Sequence, residues 1–171
     1  MLTYGFAAIA AFALIVQDDP ITRERGAVFG VSQGSDALYL VCKPDEHYLE
    51  IGFRAADLRP LSTLEHMASG VASRFGNQEK SESGYWDVED DHLDYAVAKF
   101  GGGNAKARFI DMLANNTEFN IRYQLGSSSP RTVTIAYTLD PAELRRFIAL
   151  CGDKGIMKRL TEMHSIAAPI T

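Results

Sequence analysis

Much of what would identify a chain chemically is missing here. The 171 residues include two cysteines, Cys42 and Cys151. No CxxC is present, and no histidine is spaced to complete a zinc site, so a structural zinc module is excluded. Basic residues never cluster beyond Arg145-Arg146 and Lys158-Arg159, and the net charge is −5 with a pI near 5.3. Without a basic stripe to neutralise phosphates, nucleic-acid binding is excluded as a main role. The apolar run from Tyr4 through Val16 is too short to cross a bilayer. G-x-x-x-x-G-K-[ST] and G-x-G-x-x-G are absent, and so is a calcium loop with its turning glycine. No cofactor motif is legible.

What is present fits one soluble domain. Hydrophobic residues make up 46% and charged residues 23%, an ordinary globular composition for a length that can bury a core. Residues 1–13 carry no charge and end in Ala11-Phe12-Ala13, which reads as the apolar region and A-x-A exit of an export signal, with residues 14–152 as one β-rich domain and 153–171 as a tail or short helix. The competing reading is a buried N-terminal strand or helix. In an oxidising compartment the two cysteines are most simply one disulfide, worth ~4–5 kcal/mol by loop entropy; in a reducing one they are two buried thiols.

The periodicity predicts an antiparallel sheet or sandwich of about 7–9 strands with a mid-chain helix and a C-terminal helix packed on the sheet. A hairpin joins Ala27–Ser32 to Ala37–Lys43, with Leu38, Leu40 and Cys42 on one face and Tyr39 and Val41 on the other, so this second strand should be central and covered twice. Tyr48–Phe53 alternates as a half-buried strand, residues 55–70 have no clean period, and Val71–Phe75 reads as a strand. Tyr85–Val88 and Leu93–Phe100 form a hairpin around the tip Glu89–His92, with Trp86, Val88, Leu93, Tyr95 and Val97 able to share a face. After Gly101–Gly103, Asn104 should cap a helix through Ala114. Phe119, Ile121 and Tyr123 alternate, as do Val133, Ile135 and Tyr137, a second hairpin. Asp140-Pro141-Ala142-Glu143 combines an N-cap, Pro at N1 and a carboxylate at N3; the helix it starts aligns Leu144, Phe147, Ile148 and Cys151 and ends at Gly152. Cys42 and Cys151 therefore face the same core.

Candidate chemistry is sparse. Asp90, Asp91, His92 and Asp94, after Glu89, are the weak metal candidates, since carboxylates and an imidazole suit a divalent cation. Neighbouring strand positions point to opposite faces, however, which works against convergence. Trp86 and Tyr95 are candidates for a ligand groove, with the alternative of core or cross-strand pairing. His47, His66, His92 and His164 lack an evident triad partner. Asn115-Asn116-Thr117 matches a glycosylation sequon.

Asp19-Pro20-Ile21-Thr22, the strand ending Leu40-Val41-Cys42, Arg74 before Phe75, Trp86 beside an acidic turn, the helix at Phe109–Leu113 and the closing strand, helix and Cys151 together resemble the type VI secretion-associated VasI-like proteins over residues 14–151. The chain departs from them by lacking a Trp in its first strand. The resemblance implies a Gram-negative periplasmic protein with paired cysteines, and supplies no catalytic residues. The expected function is exported binding or scaffolding for an unknown protein or envelope ligand, with a periplasmic hydrolase as the alternative and the oligomeric state left open.

Overall fold

In the computed structural model the described residues are 9–18, 25–43, 48–55, 57, 68–76, 85–91, 95–101, 103–125, 127–152 and 158. They form β1 (Ala10–Ala11), β2 (Ala13–Asp18), β3 (Arg25–Gln33), β4 (Asp36–Lys43), β5 (Tyr48–Arg54), β6 (Ala68–Phe75), β7 (Tyr85–Asp91), β8 (Tyr95–Gly101), α1 (Gly103–Ala114), β9 (Glu118–Leu125), β10 (Arg131–Thr138) and α2 (Pro141–Cys151). The strands make a six-stranded sheet in the order β2-β3-β4-β5-β8-β7 and a four-stranded sheet in the order β1-β10-β9-β6. Ten strands thus replace the expected seven to nine, because β1 is a two-residue parallel addition to β10. The class is the expected one, a mainly β sandwich with two helices.

The core lies between the sheets and is built by alternation. Phe29 and Val31 of β3, Leu38, Leu40 and Cys42 of β4, and Ile51 and Phe53 of β5 are buried on one face. Phe119, Ile121 and Tyr123 of β9 and Val133, Ile135 and Tyr137 of β10 are buried opposite them. Strand β4 is central, between β3 and β5, as its apolar faces predict. Among the described residues it is covered by a second layer on one side only. Tyr39 and Val41 are half-buried, because the second layer lies against the other face; the Tyr39 ring instead occupies the space over Gly52, where an added methyl would fall 2.2 Å from it.

The helices complete the second layer. Asp140 caps α2 by accepting from the Ala142 N–H at 2.8 Å, Pro141 opens it, and Gly152, at φ 66°, closes it in the left-handed conformation that lacks a Cβ penalty. Its buried face is Leu144, Phe147, Ile148 and Cys151, as the spacing predicts. Cys42 and Cys151 are bonded, with α-carbons 5.5 Å apart, and pin α2 to β4. Helix α1 begins at Gly103, so Asn104 stands inside its first turn rather than capping it. It is fixed by Phe109 against Phe75, Trp86 and Phe100, by the Lys106 ammonium donating to the Leu49 carbonyl at 2.6 Å, and by the Tyr137 hydroxyl donating to the Leu113 carbonyl.

Two expectations shift in register. The β7–β8 pairing runs from Tyr85↔Gly101 to Asp91↔Tyr95, so Glu89, Asp90 and Asp91 are strand residues and not a tip. Upstream, β1 and Phe12 pack on the sandwich ahead of Leu14. The Phe12 ring is buried, 4.9 Å from Phe29 and 5.1 Å from Tyr137, and its N–H donates to the Thr138 carbonyl. Ala10–Ala11 and Ala13–Asp18 are strands, with Phe12 between them buried and Ile15 and Val16 exposed, while residues 1–8 and the tail, apart from Lys158, lie outside the described residues.

Candidate functional site

The alternation that buries Phe119, Ile121 and Tyr123 turns Glu118, Asn120, Arg122 and Gln124 to the outer face of the four-stranded sheet. On one side of β9, β6 pairs Ala72 with Arg122 and Arg74 with Asn120. On the other, β10 pairs Thr132 with Arg122 and Thr134 with Asn120. A register shift between Ser69 and Ala72 interrupts β6, the place where a bulge bends a strand and re-aims its side chains. A surface groove of about 380 Å³ follows, lined by Ala72, Ser73, Arg74, Asn120, Ile121, Arg122 and Thr132.

The floor of this groove is rigid. Asn120 is 6% exposed; its amide donates to Glu118 Oε1 at 2.8 Å, and its carbonyl oxygen accepts from the Thr134 hydroxyl at 2.6 Å. Ser73 Oγ accepts from the Trp86 indole N–H at 2.9 Å. Arg74 and Arg122 are exposed, and among the described residues neither meets a carboxylate.

A second polar cluster joins the sheets at the β3–β4 turn. Arg131 of β10 is ion-paired to Asp57, which follows β5, and reaches Asp36 Oδ2 of β4 at 3.3 Å. Tyr123 donates to Asp57 at 2.6 Å, and the Arg131 guanidinium stands 6.0 Å from the Tyr123 ring centroid. Partial burial would raise the Asp57 carboxyl, but the hydrogen bonds from Tyr123 and Arg131 and the Arg131 charge hold it below the usual carboxylate range. Burial, then the bond to Asp57, pushes the Tyr123 phenol well above its ordinary value. The hydrogen bond to Asp57 outweighs desolvation and raises Arg131 as well. Asp57 thus stays ionised and Tyr123 protonated at neutral pH. The cluster has no poised base or nucleophile and acts as a clamp. Beside it Gln33, Asp36, Arg131, Thr132 and Thr134 help line a smaller hollow of about 250 Å³.

The expected site residues are scattered. Trp86 is half-buried against Phe100, Phe109 and Phe119 and touches the groove only through Ser73. In the ladder it stands opposite Phe100, whereas Tyr95 stands opposite Asp91 near the other end. Asp90 and Asp91 are β7 backbone positions, and His92 and Asp94 lie outside the described residues, as do His47, His66 and His164. Among the described residues no group of three or more His, Cys, Asp or Glu is placed to hold a metal. Among the described residues no helix is long and apolar enough to cross a membrane. Of the sequon, Asn115 follows α1, and its side-chain amide donates to the Asp111 carbonyl at 2.8 Å.

Comparison with protein-family models, curated proteins and solved structures finds no match. The geometry therefore stands alone. Neither Arg122 nor Arg74 stands in a binding or catalytic motif. The available signal was the polar half of β9, whose alternation places Asn120 and Arg122 on one face.

Proposed function

We propose that the chain is an exported binding or accessory protein that works outside the cytoplasm in the service of an envelope assembly of the secretion-system kind. The groove of the four-stranded sheet carries the reading. It offers two guanidinium groups that meet no carboxylate among the described residues, over a floor of fixed polar groups, and the described residues place no general base beside it. The Cys42–Cys151 bond supports the compartment, since structural disulfides persist where thiols are not kept reduced.

A leader cut after Ala13 would remove β1 and Phe12, so we place the processing bond ahead of Ala10. Mass analysis of the N-terminus of the native periplasmic protein decides this, and a mature chain starting at Leu14 refutes it. The binding reading is tested by placing a photo-cross-linking side chain at Thr132, beside the groove, and at Arg145, on the exposed face of α2. A discrete adduct in the native host from Thr132 but not Arg145 is the expected result. Equal or absent adducts at both positions would defeat the reading. Loss of the Thr132 adduct when the secretion machinery is deleted is the expectation for the finer assignment; an adduct indifferent to that deletion removes it.

A further inference from the structure

Arg74 and Arg122 occupy a diagonal on neighbouring antiparallel strands, because Arg74 pairs with Asn120 and Ala72 with Arg122. Such diagonal positions are about 7–8 Å apart, within reach of long side chains. Two like charges so placed repel one another. The sheet could have relieved the repulsion locally. Glu118 is the other diagonal neighbour of Arg74, yet it makes no ion pair with it, and its Oε1 accepts from the Asn120 amide instead. Both guanidinium groups are left facing solvent on a chain whose net charge is −5.

The shape agrees with the charge. Arg122 is flanked in its rung by the short side chains Ala72 and Thr132, which leave the space beside it open. The groove of about 380 Å³ falls in the range of small-ligand sites, ~300–1,000 Å³. Planar guanidinium forks match the oxygen spacing of carboxylate and phosphate and bind them with charge-assisted, often bidentate hydrogen bonds. Thr132 adds a hydroxyl donor at the same edge.

We propose that this groove is an oxyanion-binding site in which Arg74 and Arg122 jointly hold a carboxylate or phosphate group. The proposal rests on the binding reading above and names the ligand chemistry of that site. Its reporter is built in: Trp86 is the sole tryptophan, and its indole N–H is bonded to Ser73, which lines the groove.

The experiment titrates the full disulfide-bonded chain with citrate and, separately, with inorganic phosphate, following Trp86 fluorescence against chloride at matched ionic strength. A saturable change with at least one probe, absent with chloride, is expected, and the preferred probe assigns the carboxylate or the phosphate. Arg74→Ala with Arg122→Ala should weaken binding at least about tenfold. Arg74→Lys with Arg122→Lys, which keeps the charge but loses the fork, should fall between. Both positions are exposed, so the variants should keep the parent far-UV spectrum and the intact disulfide. No saturable change with either probe, an equal response to chloride, or an alanine double variant that titrates like the parent would each overturn the proposal. The Thr132 cross-linking result is separate: an adduct there together with silence from both anions would keep the binding reading and discard the oxyanion.

Discussion

Strand β4 is fastened to the second layer at both ends, by different chemistry. Near its last residue, Cys42 is bonded to Cys151 of α2 beside the stacked rings of Phe12, Phe29 and Phe147, a dry and covalent junction. At its first residue, Asp36 meets Arg131, which also holds Asp57 and stands by Tyr123, an ionic junction with the Arg131 side chain 41% exposed. One junction answers to redox conditions and packing, the other to pH and salt. A sandwich fixed at both ends of its central strand keeps its sheets in register while each fastening fails under a separate stress.

The largest effect should come from the covalent end. A chain beginning at Leu14 lacks β1 and Phe12, and the emptied space beside Phe29 and Tyr137 should cost about 3–5 kcal/mol relative to a chain beginning at Ile9, measured by urea unfolding. Equal midpoints would mean that the ring is dispensable. Next, Cys151→Ser or reduction should lower stability by ~2–5 kcal/mol. Hydrogen exchange should then quicken in α2 before it does in the β9–β10 hairpin, a test of whether the two ends are independent.

The ionic end should yield less. Asp57→Asn removes the charge that Arg131 and Tyr123 share, and should cost about 1–2 kcal/mol, discounted because a third of the side chain is exposed. The pH response has a defined sign. Folded Asp57 ionises below its ordinary value of 3.8, so its contribution is present above that pH and is lost as pH falls through the lower folded value. The Tyr123 and Tyr137 phenols are held protonated in the fold, so stability should also decline above about pH 10, where the unfolded chain ionises first. Thermal melts across pH should show both limbs, with the acid limb reduced in Asp57→Asn and unchanged in Cys151→Ser. The smallest effect belongs to the groove: Arg74→Ala with Arg122→Ala should shift stability by no more than about 0.5 kcal/mol. A larger loss would make those arginines part of the scaffold.

These contrasts also mark what could be read in the sequence. The apolar junction was legible because its parts are periodic: Leu38, Leu40 and Cys42 at strand spacing, and Leu144, Phe147, Ile148 and Cys151 at helix spacing, with a complete cap at Asp140. The ionic junction was not, because Asp36 of β4 and Asp57 after β5 meet the Tyr123↔Arg131 pair of the β9–β10 hairpin only once the sheets stack. Strand β1 escaped for a related reason: two residues carry no period, and the apolar run around them matches an export signal as well as a strand. The acidic run at Glu89–Asp91 looked like a turn from composition, yet the Trp86↔Phe100 pairing extends β7 through it. The groove depends on the register of β6 against β9, broken between Ser69 and Ala72, and no local pattern carries that offset.

The disulfide spans 109 positions of chain, which makes most of the sandwich a covalent ring. Strands β5 to β10 and helix α1 all lie on the ring, while β1, β2 and β3 lie outside it and are held to it by strand pairing and core packing rather than by the disulfide. A protease that severs one peptide bond between Cys42 and Cys151 would therefore leave one molecule of unchanged mass, apart from the added water. Such a nicked protein should run as a single band on a non-reducing gel and as two bands after reduction. Damage inside the ring is retained, whereas a cut before Cys42 releases a fragment.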